Sequence, residues 1–112
     1  MLRDDASLLD IYKAGNKIVA FTEGFSAEDI AEDDMRFSAV LYEFIVVGEA
    51  TKRLSADFRA EHSEIPWKDM AGMRDVLAHH YDEINVELLQ KTIQESIPDL
   101  LRKIEKFLPK KT

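Results

Sequence analysis

The segment with the clearest chemical potential is residues 74–81, which read RDVLAHHY. Arg74 supplies a permanently charged planar guanidinium, whose geometry matches phosphate oxygens. His79 supplies an imidazole, the side chain that most readily gains and loses protons near neutral pH, and Tyr81 adds a phenol. These residue types indicate chemistry on a phosphodiester.

RNA cleavage is the reaction that such residues could perform without a metal. A base takes the proton from the ribose 2′-OH as that oxygen attacks the adjacent phosphorus, and a cation stabilises the charge growing on the phosphoryl oxygens. His79 would serve as the base or acid, and Arg74 as the cation. We therefore expect neither a metal nor a cofactor.

The spacing of these residues constrains how they could meet. On one continuous helix Arg74 and Tyr81 lie about 20° apart, whereas Arg74 and His79 lie about 140° apart. Either the helix loosens near His79, before Asp82, or a second copy of the chain supplies the missing half of the site.

A purely structural interpretation remains open at this point. A helical Arg is usually solvated or ion-paired, a helical His is often a partly buried ring, and a Tyr near a helix end is often an amphipathic anchor. The three residues alone do not decide between the two interpretations.

Composition predicts a single domain over residues 1–112, with 46% hydrophobic and 33% charged residues. The net charge of −7 argues against non-specific binding to nucleic acid. A local basic patch could still hold RNA, and its candidates are Lys52, Arg53, Arg59 and Arg74.

The sequence also bears on location. There is no cysteine, which fits a reducing compartment, and the acidic residues Asp4 and Asp5 stand where a signal peptide would be basic. The longest apolar run, residues 44–48, is far too short to span a bilayer. We expect a cytoplasmic protein with no membrane partner.

Apolar residues recur at helical spacing along the chain and predict helices at about residues 5–23, 35–54 and 66–79, with a last helix capped by Asn85. Gly24 should end the first helix, only a short turn fits after Ser26, and Ser55 should cap a short continuation. The apolar positions of the second of these helices are Met35, Phe37, Val40, Leu41, Phe44, Ile45, Gly48 and Leu54. Those of the last are Val86, Leu89, Ile93, Ile97, Leu100, Ile104 and Leu108.

Pro98 lies inside that last helix, where it should kink or split it. No alternating strand pattern occurs in the sequence. The predicted fold is therefore an all-α antiparallel bundle of four to five helices.

The chain resembles a known family over nearly its full length. Arg74, His79 and Tyr81 match the Rx4HxY signature of HEPN-domain proteins, and the surroundings are similar to the HepT-like branch, also called DUF86. The supporting segments are residues 45–54, IVVGEATKRL, and residues 65–73, IPWKDMAGM, which run into Arg74.

This resemblance implies a HEPN fold, a homodimer with Arg74 and His79 at its interface, and a metal-independent ribonuclease that acts as a toxin. It further implies a type VII-like toxin–antitoxin system. The antitoxin would be a nucleotidyltransferase of the MNT type that silences the toxin by attaching AMP to the motif tyrosine, here Tyr81. Such a modification would add bulk and negative charge beside a site for RNA phosphates.

Two further residues are candidates for auxiliary roles. His80 occupies a position that is often small in the family, and its imidazole could share proton transfer or simply face solvent. Glu49 could orient Arg74 or the histidines, although a structural ion pair is the plainer expectation.

Three other features have plain structural interpretations. His62 has acids nearby, but its spacing matches no standard metal site, and we expect no metal there. Trp67 could stack on a base, although anchoring a turn to the core is the simpler role. The basic C-terminal end, residues 102–112, could touch RNA or an acidic partner.

The leading interpretation is thus a ribonuclease toxin with Arg74 and His79 as catalytic residues. The alternative is a catalytically idle helical dimer that binds nucleotide or substrate for a nucleotidyltransferase partner. A purely structural dimer is a third interpretation.

Overall fold

A computed structural model describes residues 3–72 and 85–108 of the chain. Within these ranges every regular element is helical, which confirms the all-α class. The elements are α1 (Arg3–Thr22), α2 (Ala27–Glu32), α3 (Asp34–Arg53), α4 (Ala56–Glu61), α5 (the described part being residues 67–72), α6 (Val86–Lys91), a π-helical turn (Thr92–Ser96) and α7 (Ile97–Glu105).

The starts of the helices follow from capping side chains. Ser26 and Asp29 form a reciprocal capping box at α2, which makes this segment a short helix rather than the turn predicted from the sequence. The Asp33 carboxylate accepts from the backbone N–H of Arg36 and caps α3. Asn85 caps α6 by accepting from the N–H of Leu88, as predicted.

Gly24 confirms its predicted role at the end of α1. Its φ of +82° lies in the left-handed region, where a residue without a Cβ has no steric penalty. The next residue, Phe25, donates its backbone N–H to the carbonyl of Thr22 and closes the turn.

Helices α1 and α3 run antiparallel and form the centre of the bundle. The side chain of Arg36 donates to the carbonyl of Phe21 at 2.6 Å near one end. At the other end Asp4 accepts from both the backbone N–H and the hydroxyl of Ser55, at 2.8 and 2.7 Å. These contacts hold the α3–α4 elbow against the start of α1.

The core between the helices is almost entirely aliphatic, with Phe44 as its largest fully buried side chain. It is lined from α1 by Leu8, Ile11, Ala14 and Ile18, from α3 by Phe37, Val40, Phe44 and Val47, and from the C-terminal helices by Leu89, Ile97, Leu100 and Ile104. Met35, the first residue of the apolar repeat that predicted this helix, lies in α3 as expected, but its side chain is 84% exposed and does not join the core.

The last predicted helix is interrupted near Pro98, as expected, but by a wide turn and not by a simple kink. The N–H of Ile97 donates to the carbonyl of Thr92, five residues earlier. Pro98 has no N–H and its ring crowds the carbonyl four residues back, so the preceding turn widens. The extra residue per turn shifts the buried positions, and Thr92 is buried while Ile93 is only half-buried.

Candidate active site

The segment singled out by sequence, Arg74, His79, His80 and Tyr81, lies outside the described residues. The described part of α5 ends two residues before Arg74. The helix starts after Pro66, whose carbonyl accepts from the backbone N–H of Met70 at 3.1 Å. This places Pro66 just before the first helical residue, one position earlier than predicted.

Trp67 fixes the beginning of α5 to the core. Its side chain is only 7% exposed, and its indole N–H donates to the carbonyl of His62 at 3.0 Å. The prediction that Trp67 anchors the turn is therefore confirmed. A buried, hydrogen-bonded indole is not available to stack on a base.

His62 belongs to an aromatic cluster. Its ring centroid lies 4.5 Å from that of Phe58 and 4.1 Å from that of Phe107. The imidazole therefore packs the α4–α5 connection against the end of α7. Among the described residues no group of three histidines, cysteines or acids is arranged to hold a metal ion.

The described candidates for the site share one side of α3. Lys52 and Arg53 fall about 60° and 40° to either side of Glu49 on the helix, because they lie three and four residues after it. Glu49 is half-buried, and Lys52 is exposed. A carboxylate and two cations therefore border one stretch of surface at the C-terminal half of α3.

Of the two cations, Arg53 is already engaged. Its guanidinium lies 2.9 Å from the Asp10 carboxylate, and both side chains are about half-exposed. Such an exposed pair contributes only about 0–1 kcal/mol, so a phosphate could compete for Arg53. Lys52 makes no ion pair with any described residue and is the freer of the two.

Arg59, the other basic candidate, sits differently. It lies on α4 and is half-buried, and its Nε atom is buried without a hydrogen-bond partner among the described residues. Its orientation toward the protein makes it a poorer member of an RNA-binding patch than Lys52.

A further cleft lies elsewhere, between the start of α5 and the π-helical turn. It has a volume of about 540 Å³. Its charged lining residues are Asp69, Lys91, Glu95, Asp99 and Arg102. Three acids and two bases give no net positive field, so this cleft is not suited to RNA phosphates.

Asp99 in this cleft is strongly engaged with its own helix. The hydrogen bond from Lys103, at 2.9 Å, lowers the pKa of the Asp99 carboxyl, and Arg102 adds to the effect. The negative charge of Asp99 is therefore stabilised locally, at the N-terminal turn of α7.

Sequence reasoning missed two features of α3. Tyr42 is 62% exposed on its outer side, in register with Met35, and neither was singled out as a surface residue. Glu43, in contrast, is only 6% exposed. The apolar spacing could have flagged Tyr42, which lies seven residues after Met35, but no pattern in the sequence signals a buried acid.

Comparison with known proteins also covers residues 74–81, which lie outside the described residues. The sequence profile of the family described as "Ribonuclease HepT-like" matches residues 11–107. This chain belongs to the ribonuclease HepT-like family. The matched range includes α3, α5 and the whole of residues 74–81. The Rx4HxY signature therefore lies within the part of the chain that matches the family.

Individual relatives support the assignment to the HepT-like family. A protein of Thermococcus cleftensis called "Probable ribonuclease HepT" is 42% identical over 100 residues, covering 89% of this chain and 91% of the relative. Proteins of Caldanaerobacter subterraneus subsp. tengcongensis and Methanocaldococcus jannaschii, whose names class them provisionally as RNases, are 37% and 32% identical. They cover 83% and 89% of this chain, and 83% and 92% of their own length. No solved structure gave a significant match.

One further property bears on this HepT-like chain's setting. Across the ranges 3–72 and 85–108, no helix combines the length and apolar character needed to cross a membrane.

Proposed function

We propose that this HepT-like protein is a metal-independent endoribonuclease whose catalytic residues are Arg74 and His79. The observation that carries the proposal is the family match over residues 11–107, which encloses Arg74, His79 and Tyr81 in their expected order. Each of these residue types has a role in the cleavage of a phosphodiester next to a 2′-OH.

The reaction needs two proton movements and one charge to be stabilised. His79 takes the proton from the 2′-OH as that oxygen attacks phosphorus, and the bond from phosphorus to the 5′-oxygen breaks. The leaving 5′-oxygen receives a proton, and the products are a 2′,3′-cyclic phosphate and a 5′-hydroxyl. Arg74 stabilises the negative charge on the phosphoryl oxygens with its fixed donor fork.

The side of α3 that carries Glu49, Lys52 and Arg53 would support this site. Lys52 and Arg53 offer positive charge to the RNA backbone on a chain whose net charge is −7. His80 is a second imidazole that could share proton transfer. The acidity of the whole molecule favours binding of selected RNA over indiscriminate binding.

The biological role we propose is that of a cytoplasmic toxin. A homodimer would present Arg74 and His79 at the interface, and an MNT-type nucleotidyltransferase would act as the antitoxin by attaching AMP to Tyr81. An adenylate on Tyr81 adds at least one negative charge to the motif that contains Arg74, the residue proposed to bind the substrate phosphate. The modification would therefore block RNA binding directly.

The experiment that tests the enzyme is cleavage of total cellular RNA by purified protein in EDTA. The forms to compare are wild type, Arg74→Ala, His79→Ala and His80→Ala. Loss of the cation or of the proton-transfer group should slow cleavage on the order of a hundredfold or more, with or without EDTA. His80→Ala should keep most of the activity, and the RNA ends should carry a cyclic phosphate.

Lys17→Ala is the matched control, because it removes an exposed cation on α1 that makes no ion pair with any described residue. Circular dichroism must show that every variant is folded. Equal cleavage by wild type and the folded Arg74→Ala and His79→Ala variants would rule out the proposed site. If no form cleaves RNA and the intact mass shows that Tyr81 is unmodified, the result favours the alternative, a catalytically idle helical dimer that binds nucleotide or substrate for a partner.

A further inference from the structure

The start of α5 is surrounded by aromatic rings from three parts of the chain. Phe58 lies on α4, His62 ends that helix, Trp67 begins α5, and Phe107 follows α7. They include the only Trp of the chain and two of its six Phe, whereas the core between the helices is almost entirely aliphatic. We call Phe58, His62, Trp67 and Phe107 the four-ring cluster.

The rings of the four-ring cluster contact one another in a continuous series. The His62 ring centroid lies 4.1 Å from that of Phe107 and 4.5 Å from that of Phe58. Phe58 in turn lies 5.9 Å from Trp67 and 5.9 Å from Phe107, meeting the latter edge to face. Aromatic pairs at such spacings attract one another beyond the effect of the area they bury. The cluster therefore joins α4, the start of α5 and the end of α7.

Hydrogen bonds hold both sides of the cluster. The carbonyl of His62 accepts from the indole N–H of Trp67 at 3.0 Å and from the backbone N–H of Ile65 at 3.2 Å. On the other side, Phe107 donates its backbone N–H to the carbonyl of the fully buried Ile104 at 2.9 Å. The ring of Phe107 is thus presented to His62 by the end of α7, and His62 holds Trp67.

The described part of α5 has few other attachments. Of residues 67–72 only Trp67 and Met70 are buried, and both lie within the first four residues of the helix. The direction of α5 is therefore set at its start. A tilt of about 8° at Trp67 moves the end of the described helix, about 7.5 Å away, by about 1 Å. Arg74 follows two residues later in the sequence.

We propose that the four-ring cluster positions α5 for catalysis, with His62 and Phe107 as positioning residues. The inference rests on the proposed function, because it requires Arg74 to act on RNA. Misplacement of a catalytic group by about 1 Å can slow a reaction about a hundredfold, so a small tilt of α5 matters to the rate. His62 and Phe107 act through α5 and are not assigned a contact with RNA.

The single Trp allows the start of α5 to be observed independently of RNA cleavage. Trp67 is only 7% exposed, so loosening of the cluster should shift its fluorescence emission to the red and increase its quenching by acrylamide. Phe107→Leu and His62→Ala should both show this change. Phe21→Leu is the matched control, because Phe21 is also a half-buried ring packed against the core but lies at the end of α1 away from α4.

Steady-state kinetics of RNA cleavage, below the unfolding transition of every variant, separate positioning from stability. Phe107→Leu and His62→Ala should lower kcat by about tenfold or more and leave KM within about twofold, because the proposed RNA contacts on α3 do not change. Phe21→Leu should unfold more easily than wild type but keep both constants. His62→Phe keeps a ring without its two nitrogens, so it should restore the wild-type kcat and fluorescence.

The positioning role is overturned if folded Phe107→Leu and His62→Ala keep the wild-type kcat, or if Phe21→Leu lowers kcat as much as they do. Should Phe107→Leu not fold, His62→Ala at its half-buried position carries the same test. A slow His62→Phe variant with wild-type fluorescence would also overturn it, because the imidazole itself would then be needed for the reaction. In all these cases wild type still cleaves RNA and the ribonuclease stands. Absence of cleavage by unmodified wild type would instead refute the proposed function, and this inference with it.

Discussion

Gly15 lies where α1 packs tightly against Leu101 of α7. A Cβ built at this position would lie 2.8 Å from Cδ2 and 3.3 Å from Cγ of Leu101, so an added methyl forces that side chain to move. Gly72, in α5, has open space around an added Cβ. The two glycines therefore share the helical conformation and differ in what surrounds them.

Gly15→Ala and Gly72→Ala should consequently have different effects on stability. Both gain about 0.5–1 kcal/mol because alanine favours a helix, but only Gly15→Ala suffers overpacking, which typically costs about 1–3 kcal/mol. We expect Gly15→Ala to unfold more easily in urea than Gly72→Ala by about 1–3 kcal/mol. Equal unfolding free energies would mean that Leu101 moves aside without cost.

At the scale of single residues, the sequence predicted backbone conformation well and side-chain exposure less well. Gly24 was correctly predicted to end α1, since its conformation requires a residue without a Cβ. The exposure of Met35 was not predicted, because a helical repeat shows which residues share a side but not whether another element covers that side. His62 needed the structure, since its aromatic neighbour Phe107 is 45 residues away in the chain.

Among the elements, the elbow between α3 and α4 depends on a single serine. The Ser55 hydroxyl accepts from the backbone N–H of Phe58 as the cap of α4 and also donates to Asp4, at the start of α1. Ser26 makes a comparable cap at α2 but bonds only within its own capping box. The two serines separate the effect of a cap from that of a contact between helices.

Ser55→Ala should therefore destabilise the protein more than Ser26→Ala. A lost cap costs about 1 kcal/mol, and Ser55→Ala also removes a charge-assisted hydrogen bond to Asp4, so a total of about 2 kcal/mol or more is expected. Thermal or urea unfolding of both variants measures the difference. In Asp4→Asn background the excess should shrink, and an unchanged excess would contradict the role of Asp4.

Element boundaries were predicted well where a local signal exists. Residue types within one turn predicted the caps at Ser55 and Asn85. They also predicted the helices α1 and α3. The π-helical turn did not follow, because Pro98 indicates an interruption but not how the preceding turn absorbs it. The proposal that residues 74–81 are catalytic rests on their motif and family alone, since Arg74 and His79 would lie about 140° apart on one continuous helix.

The whole molecule is acidic, and under the proposed function this charge bears on how its activity would be inhibited. With a net charge of −7, the chain repels RNA except where its cations concentrate. An inhibitor then needs only to cancel local positive charge near Arg74. Under the proposed function, adenylation of Tyr81, seven residues after Arg74 in the sequence, would do this without unfolding the protein.

Tyr81→Phe provides the decisive comparison for this mode of control. The variant keeps the ring and removes only the oxygen that would accept AMP, so it should cleave RNA about as fast as unmodified wild type. When each form is incubated with the cognate nucleotidyltransferase and ATP, wild type should gain adenylate mass and lose cleavage, while Tyr81→Phe should do neither. Tyr42→Phe is the matched control, since it removes the phenol of another tyrosine, one that is 62% exposed, and this variant should be modified and silenced like wild type. Silencing of Tyr81→Phe with no gain in mass would mean that the partner inhibits by binding. Mass and cleavage are measured on the same samples. A variant that escapes inhibition by the partner is therefore distinguished from one that has lost ribonuclease activity.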